Sequence, residues 1–310
     1  MLKYVRNRLL LLIPVLLGIT FFFFFLMSLT ASDVVDMQYE QKGVEVSEQV
    51  KMATRMKLGL DKPFMVQYGT WLAKLAVGDM GTSYISGKAV SATFVSKLPH
   101  TICLALCAMA LTLLISLPLG IYGALHKDKI GDRLILLGSF IGNSSPNFFT
   151  ALLLILFISV KLNLLPIIAG SGWQGIILPT LTLAIAMSAK YVRQIRAVVL
   201  EEMGKGYVQA AQMRGIRKST IFYKSLLHVV LLNVITLMAL SLGSLLGGTA
   251  IVETIFMWDG VGKMAVDAIN MRDYPIMQAY VVWLDIIYIC MNLAADILYH
   301  LVDPRIKEVN

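Results

Sequence analysis

Six long apolar runs constrain this chain more than any other feature. They cover Leu9 to about Thr30, then about 101–125, 134–160, 177–199, 226–257 and 275–301. Each is long enough to cross about 30 Å of hydrocarbon as a helix. A water-soluble domain of 310 residues has no interior large enough to hide six such runs. The chain is 57% hydrophobic and only 15% charged, against about 45–50% and about 25% in soluble domains. A soluble enzyme, a disordered chain and a secreted disulfide scaffold are therefore excluded. The expected fold class is all-α: a polytopic membrane protein with six transmembrane helices, whose backbone groups are satisfied within each helix.

The first run contains Phe21-Phe22-Phe23-Phe24-Phe25 and follows Lys3, Arg6 and Arg8. It exceeds the roughly 7–15 apolar residues of a signal peptide and ends without a small-residue cleavage motif. It is read as a retained transmembrane helix. The chain then divides into three expected parts. Residues 1–31 are the tail and first helix, 32–98 an external cap of mixed charge and short helices, and 99–310 a five-helix core. Pro118, Pro146, Pro179, Gly243, Gly247 and Gly248 interrupt the later runs. Ser144-Ser145-Pro146-Asn147 is the strongest point for a broken span, with a simple proline kink as the alternative. The fourth run carries Lys190, Arg193 and Arg196, so its inner half is expected to leave the membrane.

Charge sets the orientation. The N-terminal tail, 126–133, 190–224 and the C-terminal tail hold 16 Lys and Arg, and the two opposite short loops hold 3. Basic residues resist translocation, so both termini are expected in the cytoplasm and 32–98 outside. This asymmetry also accounts for the net charge of +8 without nucleic acid. Cys103, Cys107 and Cys290 lie within apolar runs and read as ordinary packing residues.

Residues 200–226 form the most organised polar loop. Leu200 to Arg214 reads mostly as helix, Gly215 as a stop and Ser219 as the cap of a second short helix. Ala210-Ala211 offers a surface without bulk. Arg214, Arg217, Lys218 and Lys224 suit anionic lipid or an acidic partner. A solvated connector obeying the charge rule would share these features. No G-x-x-x-x-G-K-(S/T) phosphate loop occurs anywhere in the chain, so it carries no nucleotide site of that kind.

Tyr207-Val208-Gln209-Ala210-Ala211-Gln212-Met213-Arg214-Gly215 resembles the "EAA" loop of binding-protein-dependent ABC importer permeases, with two small residues and a glycine four positions on. Gly247-Gly248-Thr249-Ala250-Ile251-Val252-Glu253-Thr254-Ile255-Phe256, Gly260-Val261-Gly262, Arg272-Asp273-Tyr274-Pro275-Ile276-Met277-Gln278 and Asp303-Pro304-Arg305 resemble the oligopeptide, dipeptide and nickel branch of that family. Gly59-Leu60-Asp61-Lys62-Pro63, Gln67-Tyr68, Gly78-Asp79-Met80-Gly81, Ser83-Tyr84 and Leu117-Pro118-Leu119-Gly120 fit the same branch. The sequence departs from it at Gln209, where the loop's name calls for Glu. It departs also at Asn233, where a proline is common, and at Ala31-Ser32-Asp33-Val34, where a Pro-Gly-Asp-Pro type turn is common.

The resemblance implies a type I ABC importer permease of the bacterial inner membrane, a non-catalytic subunit without cofactor. It implies four kinds of partner: a second homologous permease, two cytosolic ATP-binding subunits, an extracytoplasmic substrate-binding protein and membrane lipid. It implies that Tyr207, Gln209, Ala210, Ala211, Arg214, Gly215, Arg217 and Lys218 belong to a coupling helix that docks on the ATPase. A knob seated in a groove transmits rigid-body motion because close-packed interfaces do not deform smoothly.

Tyr68-Gly69-Thr70-Trp71-Leu72, Pro146-Asn147-Phe148 and Gly172-Trp173-Gln174 with Ile177-Leu178-Pro179 resemble the nickel permeases most. That similarity implies nickel or a metal chelate as cargo, with a peptide importer as the alternative. The residues themselves assign no metal-ligand set. His100, His126, His228 and His300 lie near span ends and are not spaced as a cluster, although nickel favours imidazole. Seventeen Met also serve as gap-fillers. Ionisable groups inside spans are functional candidates by default. Glu253 and Asp285, with Ser145 and Asn147 at the break, are the expected pathway residues, whereas Asp296 reads as an internal pairing group. A stand-alone secondary transporter would also need polar residues and kinks in its spans, but not an organised loop at 200–226.

Overall fold

The computed structural model describes residues 2–29, 35, 36, 39, 45–170, 172–221, 223 and 227–302. The described residues are almost entirely helical, and their single β-bridge joins Thr82 to Ala89. The helices are α1 (Leu2–Ser28), α2 (Glu48–Leu58), α3 (Phe64–Ala76), α4 (Val90–Leu125), α5 (Ile130–Ser144), α6 (Asn147–Leu154), α7 (Ile177–Met203), α8 (Gly206–Met213), α9 (Lys218–Ile221), α10 (Leu227–Gly248), α11 (Ala250–Ile255), α12 (Val261–Met271) and α13 (Tyr274–Val302). A π-helical stretch, Ile155–Lys161, continues α6, and a 3-10 turn, Trp173–Ile176, leads into α7.

Among the described residues, three helical segments are long and apolar enough to cross a membrane: Val90–Leu125, Trp173–Met203 and Tyr274–Ala294. The run expected over 134–160 is a bent pair, Ile130–Ser144 and Asn147–Lys161, at 105° to one another. Pro146 explains the break. Its ring disfavours helical backbone at the preceding residue, and Ser145 sits extended at φ −83°, ψ 123°. The chain therefore breaks fully here, beyond a simple kink. The first run gives a shorter apolar helix, Ile13–Ser28. The fifth gives α10, several of whose side chains lie outside the described residues. The six expected spans are thus three clear ones, one bent pair and two further apolar helices.

The chain divides into two compact units, 1–99 with 259–290, and 100–258 with 291–310. The first unit includes 259–290, and α4 starts at Val90.

In the first unit, α3 lies along the end of α1. Tyr68 meets Phe21 edge-on at 5.4 Å, and Phe64 meets Phe24 at 5.6 Å. The Tyr68 hydroxyl donates to the Leu17 carbonyl at 3.2 Å and lies 3.1 Å from Thr20 Oγ1. A second cluster gathers Val90, Phe94, Val261, Met264 and Ile276. Phe94 stacks on Trp283 at 4.8 Å, a contact contributing about 0.5–1.5 kcal/mol beyond area burial.

In the second unit, α7 is the central element, packed against α5, α6, α10 and α11. Its face of Leu178, Leu183, Tyr191, Ile195 and Val199 is buried in the main core. Gly120 in α4 permits close approach, since a Cβ there would stand 2.8 Å from Ile195 Cβ and 3.0 Å from the Val192 carbonyl. The Leu117-Pro118-Leu119-Gly120 stretch thus has a packing reason for its glycine. Tyr191, nearly fully buried, donates to the Leu237 carbonyl at 3.0 Å and reaches Ser241 Oγ at 2.5 Å.

Candidate functional site

The loop after α7 is built differently from a single helix over 200–214. α7 stops at Met203, Gly204 follows, and Lys205, extended at φ −70°, ψ 146°, starts α8. Two glycines in three residues, Gly204 and Gly206, were the signal for this break. Glu202, buried at the end of α7, holds the corner. It accepts from Lys205 Nζ at 2.5 Å and from the Tyr207 hydroxyl at 2.7 Å. The Tyr207 phenol is pushed up to about 12, first by burial and then by its contact with the Glu202 carboxylate. Gln209 donates from Nε2 to the Gly204 carbonyl at 3.3 Å, which closes the same corner.

At its other end, α8 is capped by Gly215. The Gly215 N–H donates to the Gln212 carbonyl at 3.0 Å, and the Ile216 N–H reaches back to the Ala211 carbonyl at 3.2 Å. This is a Schellman cap, in which the residue after the helix takes the left-handed conformation, and Gly215 has φ +77°. The four-residue spacing from Ala211 to Gly215 is what lets one carbonyl and one left-handed glycine share a cap. α9 begins at Lys218, with the Arg217 carbonyl accepting from Thr220 and Ile221 N–H. Arg217 therefore stands where Ser219 was expected, and Ser219 lies inside the helix.

Val208 anchors α8 in the core at 1% exposure, and Ala211 is half-buried beside it. Ala210 is also half-buried, while Gln209, Arg214, Gly215 and Arg217 are exposed. The apolar groups presented outward are Tyr207, Met213 at 84% exposure and Ile216. Ala210-Ala211, expected as a surface without bulk, is less exposed than Met213 and Ile216 beside it. The side chain of Lys218, and all of Lys224, lie outside the described residues.

Of the four pathway residues, Glu253 is fully buried. Its Oε1 accepts from Thr101 Oγ1 at 2.8 Å and from Thr249 Oγ1 at 3.1 Å. It is thus held internally by α4 and by the residue preceding its own helix, which packs on α6. Asn147 opens α6 and Ser145 precedes the break, both half-buried, with Ser145 Oγ donating to the Ile141 carbonyl at 3.0 Å. Asp285 belongs to the other unit, in α13. Its Oδ2 is buried and takes no hydrogen bond from a described residue. The side chain of Asp296 lies outside the described residues. Among the described residues no three His, Cys, Asp or Glu gather at metal-binding distance. His100 meets Trp258 edge-on, and His126 stacks on Tyr122 at 4.3 Å.

Two polar constellations escaped the sequence. Asp132, 1% exposed, accepts two hydrogen bonds from Arg196, at 2.6 Å from Nε and 2.7 Å from Nη2. Asp273, also buried, takes the hydroxyl of Ser83 on Oδ2 and the Tyr84 N–H on Oδ1 at 3.1 Å. The Ser83-Tyr84 and Arg272-Asp273-Tyr274 stretches, almost two hundred residues apart, therefore meet. The Tyr84 phenol is pushed up to about 12, mainly by burial and then by Asp273 and Tyr274.

Residues 116–308 match the binding-protein-dependent transport system inner membrane component family, and 1–105 match its N-terminal companion. The chain belongs to this family. It is 34% identical over 307 residues, covering 99% of both chains, to the glutathione transport system permease protein GsiC of Salmonella paratyphi A. The GsiC proteins of Pectobacterium atrosepticum and Escherichia coli K12 are 35% and 33% identical over the same 99%. In fold it is similar to the inward-facing MetNI methionine ABC transporter in a selenomethionine-soaked crystal form, with a TM-score of 0.57 and 17% identity over 68% of this chain and 96% of that one. An amino acid ABC transporter crystallised with histidines gives a TM-score of 0.52 and 20% identity over 69% and 94%. The protein is therefore a non-catalytic, multi-pass membrane permease component of an ABC importer, with the type I permease fold. Membership of such a family implies ATP-binding subunits, another permease and a substrate-binding protein as its associates, and the bacterial inner membrane as its place.

Proposed function

We propose that this permease imports small peptides of the glutathione kind. The observation that supports it is full-length similarity: about a third of positions are identical, end to end, to permeases named for glutathione transport. The nickel reading rests on three short stretches only, and the peptide alternative is the better supported of the two. We further propose a transport role for the bent pair at Ser145–Asn147 in the second unit and, separately, for Asp285 in the first, whose buried Oδ2 takes no hydrogen bond from a described residue. Glu253, closed in by two threonines, acts as an internal brace.

The coupling role belongs to the segment Tyr207–Arg217. Its rigid corner at Glu202, its anchor at Val208 and its capped end at Gly215 make a firm knob presenting Met213, Ile216 and Tyr207. A knob of this kind suits a groove on an ATP-binding subunit. The charge asymmetry of the short loops supports placing this knob and both termini in the cytoplasm.

The test is uptake by the assembled transporter in membrane vesicles supplied with its binding protein. ATP-dependent accumulation of glutathione or short peptides, with no accumulation of nickel, is expected. Nickel uptake without peptide uptake would reverse the assignment.

A further inference from the structure

The first unit carries a half-open cavity of about 700 Å³. It draws together stretches that the coupling and pathway readings leave unused: Gly59-Leu60, Asp79-Met80-Gly81 and Tyr274-Pro275. Its walls differ in chemistry. One is apolar and comes from the end of α1, with Phe24 and Met27, backed by Trp71. Beyond it, Phe22, Phe25, Leu26 and Leu29 continue along α1 as exposed apolar surface. The lining is also cationic, with Lys57, Lys62 and Lys74 exposed.

None of these three lysines has a carboxylate partner among the described residues, whereas Lys51 pairs with Asp36 and Lys97 with Asp259. Arg55, also in the lining, is engaged by Asp36. The acid in the cavity is Asp79, whose Oδ1 is taken by the Gly81 N–H at 2.8 Å. The lining thus holds three cations without carboxylate partners, set against one acid already engaged.

Tyr68 and Trp71 stack at 6.1 Å beside the apolar wall. Amphipathic aromatic rings settle at the level of lipid headgroups. A ligand matching this arrangement carries negative charge at one end and hydrocarbon at the other. We propose that the cavity binds the headgroup of an anionic phospholipid, with its acyl chains lying along the exposed strip of α1. The phosphate is held by Lys57, Lys62 and Lys74 together. Lysines beside an anionic lipid surface each strengthen binding by about fivefold, so removal of all three weakens it by roughly a hundredfold.

The test uses the full chain in detergent and counts retained lipid by native mass spectrometry. Dioleoylphosphatidylglycerol should be retained in preference to dioleoylphosphatidylcholine. The triple variant Lys57→Gln, Lys62→Gln, Lys74→Gln should lose that preference. The triple change to arginine at the same positions keeps the charge and should retain it. A Lys88→Gln variant, outside the lining, should behave as the parent chain. Inorganic phosphate and glutathione, added at millimolar concentration, should leave the bound phosphatidylglycerol in place. Equal retention of the two lipids, an unchanged preference in the glutamine variant, or its loss in the arginine variant would overturn the proposal. Displacement by inorganic phosphate would reassign the cavity to a free anion. Displacement by glutathione would reassign it to the transported substrate.

Discussion

Replacing Gly215 by valine isolates the cap of α8 from everything around it. A Cβ at this position would meet no heavy atom within 4 Å, so the change causes no clash within this chain. The whole effect falls on the backbone at φ +77°. Valine has two routes. It can keep that conformation, which costs an L-residue roughly 1–2 kcal/mol and a β-branched one more. Or it can abandon the cap and lose the bonds from Gly215 to Gln212 and from Ile216 to Ala211, at about 1 kcal/mol each. Either route costs about 2 kcal/mol, a roughly thirtyfold fall in the population of the capped loop. Asparagine tolerates the left-handed region and should cost much less. The expected order of transport is therefore Gly, Asn, Ala, Val. The assay measures membrane abundance, copurified ATP-binding subunits and uptake for each variant. Valine should insert at normal abundance yet lose uptake and retain less of the ATP-binding subunits. Equal uptake by the valine and asparagine variants at equal abundance would refute both the cap argument and the coupling role.

Arg196→Ala leaves the buried Asp132 carboxylate without its two charged donors and should destabilise the fold by about 3–5 kcal/mol, with Arg196→Lys only a partial rescue; thermal unfolding in detergent measures it. Gly120→Val drives a side chain into Ile195 and should cost about 1–3 kcal/mol, seen as lower abundance and a lower Tm that an added Ile195→Ala change partly restores. Asp273→Ala removes the acceptor of the Ser83 hydroxyl and of the Tyr84 N–H, at about 1–3 kcal/mol in all, and should expose the 83–90 turn to protease. A cysteine at Ser47 should react with an impermeant thiol reagent from outside the cell while one at Ser219 should not; the reverse pattern would overturn the orientation and the coupling role with it.

What the sequence disclosed follows from how each signal is stored. Helical fold class and the broken span were legible because hydropathy and proline act locally, and Ser145 had little choice before Pro146. Gly215 was legible for the same reason, since a left-handed residue after a helix selects glycine. The partners of polar side chains were not, because they are set by contacts across the chain. Asp132 and Arg196 lie 64 positions apart and Ser83 and Asp273 lie 190 apart. No periodicity marks such a pair. Glu253 shows the consequence. A carboxylate in an apolar run is a fair pathway candidate by cost alone, yet Thr101 and Thr249 satisfy it from positions no pattern singles out. Asp285 sat on the same footing in the sequence, and the structure leaves its Oδ2 buried without a described partner. Of two carboxylates equally costly by composition, the one whose Oδ2 takes no hydrogen bond from a described residue still has that bond to offer. The braced one would have to break two hydrogen bonds first.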